Sequence, residues 1–495
     1  MIFKWIKKNK FEVLLVLLIL AIALFLRLYR VSGYMTFLGD EGRDALMVKR
    51  ILVDHDFPLL GPPTSVGNVY LGPLYYYMMA GAMTVFWLNP VAAAGMVAAI
   101  GVLAVALVYY LAKEWFGKIP AFLTAFLYAV STVNIINTHS SWNPSPTPFF
   151  ALLAILGLHL ARKYNNYLFL ILTGVSLAAA VQMHYLAGIL LPIFVVFWIY
   201  EMFTKNKRHF LKGTFGAIIA FITLLSPLII FDLRYNFLNF NAIVKLFTDK
   251  NTNQSFDGFS ALSSIITNYK DKLMGRYIAV GNGWLAIVSS IIVSVPLAVT
   301  FQRWLLDKKI GWPYFILSIW LVLGIFSVSF YQGPVFDHYL SFVSPAVFLL
   351  LAAFVALFKT KFKIIFTIFL LLAVGFFNLV KNPLLSPPHH QLQRTQSVAK
   401  FIIEKSGGRP FNFALIADKN YDSAYQFYLD IYGHKPKVVP VEITDQLFVV
   451  CEISLCQPTV NPKYEIAAFG MSKVEKEMEH WGLKIYKLVA NPSGK

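Results

Sequence analysis

The chain alternates long apolar runs with short polar or basic stretches. Apolar runs near 12–29, 91–112, 119–135, 146–161, 167–182, 186–201, 213–231, 279–300, 312–331, 339–357 and 364–380 approach the roughly 20 residues a helix needs to cross the hydrocarbon of a bilayer, and predict eleven membrane spans. The segment Gly72 to Leu88, rich in tyrosine and interrupted by glycine, is expected to lie on the outer surface, because counting it as a span breaks the alternation of the loops. From Lys381 onward charges become frequent, and short β-like runs at 411–416 and 447–450 alternate with a helical pattern from Tyr421 to Tyr432. The expected fold is an all-α polytopic membrane domain over 1–380, joined through the Pro-rich 382–388 to a small α/β domain over 381–495 that has an apolar pattern of its own.

The basic residues fix the sides. Up to residue 363, 18 Lys and Arg gather in six short stretches between apolar runs: Lys4, Lys7, Lys8, Lys10; Lys113, Lys118; Arg162, Lys163; Lys205, Lys207, Arg208, Lys212; Arg303, Lys308, Lys309; and Lys359, Lys361, Lys363. Eleven spans put all six in the cytoplasm, while the loops at 136–145, 183–185 and 332–338 lie outside and carry no Lys or Arg. Two long loops, about 31–90 and 232–277, then face outward, and so does the C-terminal domain. The N-terminus, cytoplasmic on this reading, opens an uncleaved first span: the run Val13 to Leu26 passes into Arg27-Leu28-Tyr29-Arg30 without a small-residue cleavage site.

Composition agrees: 58% hydrophobic residues with only 14% charged, and a mean hydropathy of +0.62, exclude an ordinary soluble protein. The net charge of +18 follows the loops, so it is a topology signal and calls for no nucleic acid. Cys451 and Cys456, outside on this topology, are either a disulfide or two unrelated thiols; without nearby His their spacing gives little support to zinc. No internal repeat and no Walker or dinucleotide glycine motif occurs, which argues against an ATP-driven pump.

The chemistry-bearing residues collect on the outer side. Asp40-Glu41-Gly42-Arg43-Asp44 follows the first span; it caps an interfacial helix or supplies a general base, since a carboxylate against apolar surface has its pKa raised toward the range useful for taking a hydroxyl proton. Gly72-Pro73-Leu74-Tyr75-Tyr76-Tyr77, His139-Ser140-Ser141-Trp142-Asn143, His184, Asp232 with Arg234, and Asp337-His338-Tyr339 complete the set. Each alone has a structural explanation as turn, interface aromatic or ion pair. No metal-ligand spacing such as H-x3-H is present.

Taken together these residues resemble the C superfamily (GT-C) of integral-membrane glycosyltransferases. The resemblance is to the branch holding protein O-mannosyltransferases, which use dolichyl-phosphate-mannose, and lipid A aminoarabinose transferases. It rests on Asp40-Glu41 just after span one and on Gly72-Pro73-Leu74-Tyr75 closing the loop, and covers roughly residues 1–380. It implies an inverting transfer of a sugar from a polyprenyl-phosphate donor to an acceptor hydroxyl of a lipid, polysaccharide or protein, at the outer face of the plasma membrane. Asp40 and Glu41 would be catalytic, with Asp40 the base. Arg234, His338, Tyr339 and Arg43 would receive the donor phosphate. Tyr75, His139, Trp142, Asn143, His184 and Asp232 would line the site. Two positions depart from the family pattern: Leu71-Gly72 stands where a basic residue often precedes Pro-Leu-Tyr, and Asn143 where an acid is common. The second disfavours a divalent cation, so no obligatory cofactor is expected. The alternatives are a secondary transporter or flippase of a lipid-linked or sugar substrate, and a structural scaffold. Transport calls for ionisable groups near mid-membrane, commonly in repeated halves, which this sequence lacks.

Overall fold

A computed structural model describes residues 8–64, 69–203, 207–248, 258–306, 308–331 and 334–491. Portions of the two long loops, at 65–68 and 249–257, and the basic residues Lys4, Lys7 and Lys205 lie outside the described residues.

Every expected span coincides with helix. Among the described residues, Lys10–Leu28, Pro90–Phe116, Tyr185–Met202, Lys207–Arg234, Gly283–Leu305, Trp312–Ser329 and Thr360–Val380 are the seven helices long and apolar enough to cross a membrane, and the bent pair Lys118–Val130 and Thr132–Thr138 makes up to eight. Thr147–Lys163, Tyr167–Met183 and Ser344–Ala356 are shorter. Ser344–Ala356 is buried from Ser344 to Val355, as expected of a helix that is apolar all round and packed among others. The chain is therefore a multi-span membrane protein. Within Gly72 to Leu88, Leu74–Val85 forms a 12-residue helix that buries Tyr75, Tyr76, Met79, Ala80 and Met83.

The bend of 54° at Ser131 interrupts a backbone ladder inside the bundle, and the freed groups are satisfied by side chains from distant helices. The amide N–H of Thr132 donates to Asn378 Oδ1 at 2.9 Å, while Asn378 Nδ2 donates to the carbonyls of Ile278 and Val374, both at 2.9 Å. Ser131 Oγ donates to the Tyr277 carbonyl at 3.1 Å. Elsewhere small residues let backbones touch, as in membrane bundles generally. A Cβ on Gly174 would lie 2.1 Å from the Ala217 carbonyl, and one on Gly213 equally close to that of Tyr167.

At one end of the bundle Glu12 pairs with Lys113 and, at 2.8 Å, with Lys118; Lys163 pairs with Glu114 at 2.5 Å, Arg162 with Glu201 at 3.0 Å, and Arg162 lies over the Trp312 ring. Lys113, Lys118, Arg162 and Lys163 thus gather at the end of the bundle where helix Lys10–Leu28 begins. The first outer loop and the C-terminal domain lie where it ends.

The C-terminal domain contains a four-stranded sheet in the order β1-β2-β4-β3: β1 (Asn412–Ile416) runs parallel to β2 (Leu447–Cys451), and β3 (Ser472–His480) and β4 (Leu483–Ala490) are antiparallel neighbours. Helix Ser423–Ile431 lies between β1 and β2 in sequence, as a parallel pair requires. One sheet face packs on Ile466 and Phe469. The other, through Phe413, Leu415, Phe448 and Val450, joins a core that includes Phe37, Ala45, Val48 and Ile51 of the first loop. The same core includes Val398, Ile402, Tyr425 and Phe427 of the domain's own helices Gln391–Ser406 and Ser423–Ile431, so it is shared between the domain and that loop. Cys451 and Cys456 are bonded to each other, with Cα atoms 6.1 Å apart.

Candidate functional site

Helix Gly39–Val53 carries the acidic cluster, and helical periodicity divides it. Asp40 and Glu41 are about 100° apart on the helix surface, so one faces out while its neighbour faces in. Asp40 lines a cavity of ≈ 870 Å³ together with Arg43, Thr64, Trp142, Asn143, His184, Tyr185, Lys272, Arg276, Asp337, His338, Tyr339 and Lys419. Glu41 is buried and turned away, and its Oε2 accepts the N–H of Leu38 at 3.0 Å, which caps the helix. Burial raises the Glu41 carboxyl to about 7, reinforced by the neighbouring Asp40 and Asp44 and opposed by the backbone N–H groups it accepts. Glu41 is thus a helix cap rather than the second member of a catalytic pair, a correction to the sequence reading.

Arg43 fixes the remaining carboxylates. It donates to Asp44 Oδ1 from Nε at 2.9 Å and Nη2 at 2.7 Å, and from Nη1 to Asp40 Oδ1 at 2.8 Å. Burial pushes Asp44 up to about 6 against the pull of Arg43, so Asp44 is ionised at neutral pH. Both acidic partners occupy the guanidinium, so Arg43 has a weaker claim to a phosphate than the sequence suggested.

The opposite wall is aromatic. His338 packs edge-on to Trp142 at 4.5 Å and Tyr339 at 4.6 Å between ring centroids, with His184 5.4 Å away. Burial lowers His338 to about 4, only partly offset by Asp337, and drives His184 well below its ordinary value. Both rings are neutral at physiological pH and act as hydrogen-bonding groups, not cations. His184 Nδ1 accepts the N–H of Leu186 at 3.3 Å, and Asn143 donates to the Met183 carbonyl at 2.8 Å, so both hold the loop as well as line the cavity.

Other expected residues lie elsewhere. Arg234 is exposed at the end of its helix and is not among the cavity-lining residues. Asp232 accepts the N–H groups of Asn239 at 2.8 Å and Phe240 at 3.1 Å, and so starts helix Leu238–Thr248. Tyr75 is buried with its hydroxyl 2.8 Å from Ser141 Oγ. His139 stacks on Tyr34 and is lowered to about 4 by burial, then by Arg27. These four shape loops around the site without reaching it.

Three cationic groups escaped the sequence reading. Lys272 and Arg276 stand four residues apart on one face of the π-helical turn Asn268–Ile278, and Lys419 comes from the C-terminal domain. Arg276 makes a bidentate pair with Asp337, Nε to Oδ1 at 3.0 Å and Nη2 to Oδ2 at 2.7 Å, whereas Lys272 and Lys419 carry no ion pair among the described residues. The i, i+4 basic pair just before a span was the available signal for two of them. Nothing local marks Lys419. Among the described residues no three His, Cys, Asp or Glu side chains come together as a metal site.

Asp40 thus borders a large cavity beside Lys272 and Lys419, which carry no ion pair among the described residues, on a helical bundle with a small sheet domain. The chain is similar to ArnT from Cupriavidus metallidurans bound to undecaprenyl phosphate, at 13% identity over 95% of this chain and 97% of that one, with a TM-score of 0.63. The apo state of the same protein matches at 12% identity over 97% and 98%, TM-score 0.59. AglB from Archaeoglobus fulgidus, in complex with an inhibitory peptide and a dolichol-phosphate, matches at 15% identity over 87% of this chain and 64% of that one, TM-score 0.54. The family model described as dolichyl-phosphate-mannose-protein mannosyltransferase matches residues 71–231. The resemblance read from the first outer loop is borne out. No curated relative matches the chain.

Proposed function

We propose that this protein transfers a sugar from a polyprenyl-phosphate donor to an acceptor hydroxyl at the outer face of the plasma membrane, with inversion at the anomeric carbon. The observation that carries the reading is that Asp40 shares one cavity with the unpaired lysines Lys272 and Lys419. A base and a set of phosphate-binding cations within one cavity are what such a displacement needs. Asp40 takes the hydroxyl proton as the acceptor oxygen bonds to the anomeric carbon, and the bond from that carbon to the phosphate oxygen breaks. The bonding pair leaves with polyprenyl phosphate, and the proton passes from Asp40 to water. Lys272 and Lys419 meet the charge that grows on the departing phosphate, with Tyr339 and neutral His338 as hydrogen-bonding partners.

The topology that goes with this reading has eleven crossings: seven long helices, the bent pair and the three shorter ones. The N-terminus is then cytoplasmic and the cavity and sheet domain are outside, in keeping with the basic stretches at the far end of the bundle. The acceptor is a lipid, polysaccharide or protein hydroxyl. The test is purified protein in lipid, given a panel of undecaprenyl- and dolichyl-phosphate sugars and a cell-envelope extract as acceptor. Transfer with release of lipid phosphate and an inverted linkage by NMR is expected. Movement of labelled donor across vesicles without transfer would defeat the reading in favour of a flippase.

A further inference from the structure

Asp40 lies in the first outer loop, yet one of its closest partners is 381 residues away. The Tyr421 hydroxyl, on the loop between β1 and helix Ser423–Ile431, donates to Asp40 Oδ1 at 2.5 Å. It accepts in turn from Arg43 Nη1 at 3.1 Å, and Arg43 donates to the same Oδ1 at 2.8 Å. Oδ1 is therefore held twice, while Oδ2 takes no hydrogen bond among the described residues.

This junction is built in, since the two units meet backbone to backbone around Asp40. The N–H of Gly39 donates to Asn420 Oδ1 at 2.9 Å, and a Cβ on Gly39 would lie 2.4 Å from the Tyr421 ring. A Cβ on Gly42 would lie 2.2 Å from the Ala424 nitrogen, so only glycine lets helix Ser423–Ile431 come this close. Phe37 packs edge-on to Phe427 and Tyr428 with centroids 6.0 and 5.6 Å away, and Lys49 pairs with Asp430 at 3.3 Å. A hydroxyl fixed by this much packing has little freedom to leave its partner.

We propose that Tyr421 is a positioning residue for the transfer: with Arg43 it clamps Oδ1 of Asp40, so that Oδ2 is the oxygen presented to the acceptor hydroxyl. The sheet domain thereby completes the active site. This rests on Asp40 being the base, as proposed above. Burial, with the hydrogen bond given to Asp40, pushes the Tyr421 phenol up, so it stays a donor throughout the physiological range.

Tyr421→Phe removes the hydroxyl and keeps the ring against Gly39, so the junction should still form. In the full chain, assayed with the undecaprenyl- and dolichyl-phosphate sugar panel, kcat should fall about tenfold while donor KM stays within twofold, because a freed carboxylate spends less time in the reactive orientation. Asp40→Asn should abolish most transfer, and adding Tyr421→Phe to it should cost little more, since the two act through one oxygen. Wild-type kcat for Tyr421→Phe beside an inactive Asp40→Asn would overturn this inference and leave the functional reading standing. An active Asp40→Asn, or no transfer from any donor, would defeat that reading and with it the clamp. Losses that multiply independently in the double variant would make Tyr421 merely structural.

Discussion

Replacing Glu41 by Gln tests whether the acidic cluster contains one working carboxylate or two. Glu41 is 6% exposed, and its carboxyl is raised from an ordinary 4.5 to about 7. The folded state therefore holds a proton that the unfolded chain gives up between those values. Stability is greatest below about pH 4.5 and is lost as pH rises toward and through 7. At 1.36 kcal/mol per pH unit, keeping this carboxylate ionised in the folded protein costs about 3 kcal/mol at pH 8. Gln retains an oxygen for the Leu38 N–H but never ionises. Glu41→Gln should thus match wild type near pH 4.5 and exceed it in Tm at pH 8, by on the order of 2–5 °C. Asp44 is also raised, but it is present in both proteins and largely cancels in the difference. Tryptophan fluorescence during thermal unfolding of the protein in lipid, at several pH values, reads the gap. Transfer activity should stay within a few-fold of wild type. A gap that is flat with pH, or a variant less stable at pH 8, would refute the assignment of Glu41 as a buried cap. A hundredfold loss of activity would restore it to the catalytic machinery.

Asp40→Asn should cut the transfer rate by about 10²–10⁴ while leaving undecaprenyl phosphate binding intact, measured by single-turnover kinetics beside a binding assay. Lys272→Ala should weaken undecaprenyl phosphate binding and slow transfer, whereas Arg234→Ala, exposed and off the cavity, should change neither; the reverse order would relocate the phosphate site. Asn378→Leu strands the Thr132 N–H and the Ile278 carbonyl inside the bundle and should lower stability by about 2–4 kcal/mol, seen as a lower Tm with the cavity's substrate preference unchanged. A fragment 386–495 should bind a hydrophobic dye or aggregate, because Phe427 and Tyr428 lose the cover that Phe37 of the first loop gives them; a soluble, dye-free fragment would contradict the shared core.

The apolar helices of the bundle were legible because apolar length is a local property of the chain. Carboxylates just past span one, next to an aromatic Pro-Leu-Tyr segment, were likewise visible as a cluster at the correct end of the molecule. Their division of labour was not. Asp40 and Glu41 are chemically similar neighbours, and only the packing of helix Gly39–Val53 sends one into the cavity and the other into the core. Arg234 and Lys272 both stand in the loop 232–277, and only the packing puts Lys272 on the cavity and leaves Arg234 off it. The π-helical turn that aims Lys272 inward has no sequence period to announce it. His338 and His184 were visible as candidates, but their protonation follows from burial, which lowers both and leaves them neutral. Least visible was Tyr421, since a contact across 381 residues leaves no periodic trace in either partner. It depends on two glycines, a shared apolar core and the approach of one folded unit to another, and such long-range contacts are settled only when the tertiary structure closes.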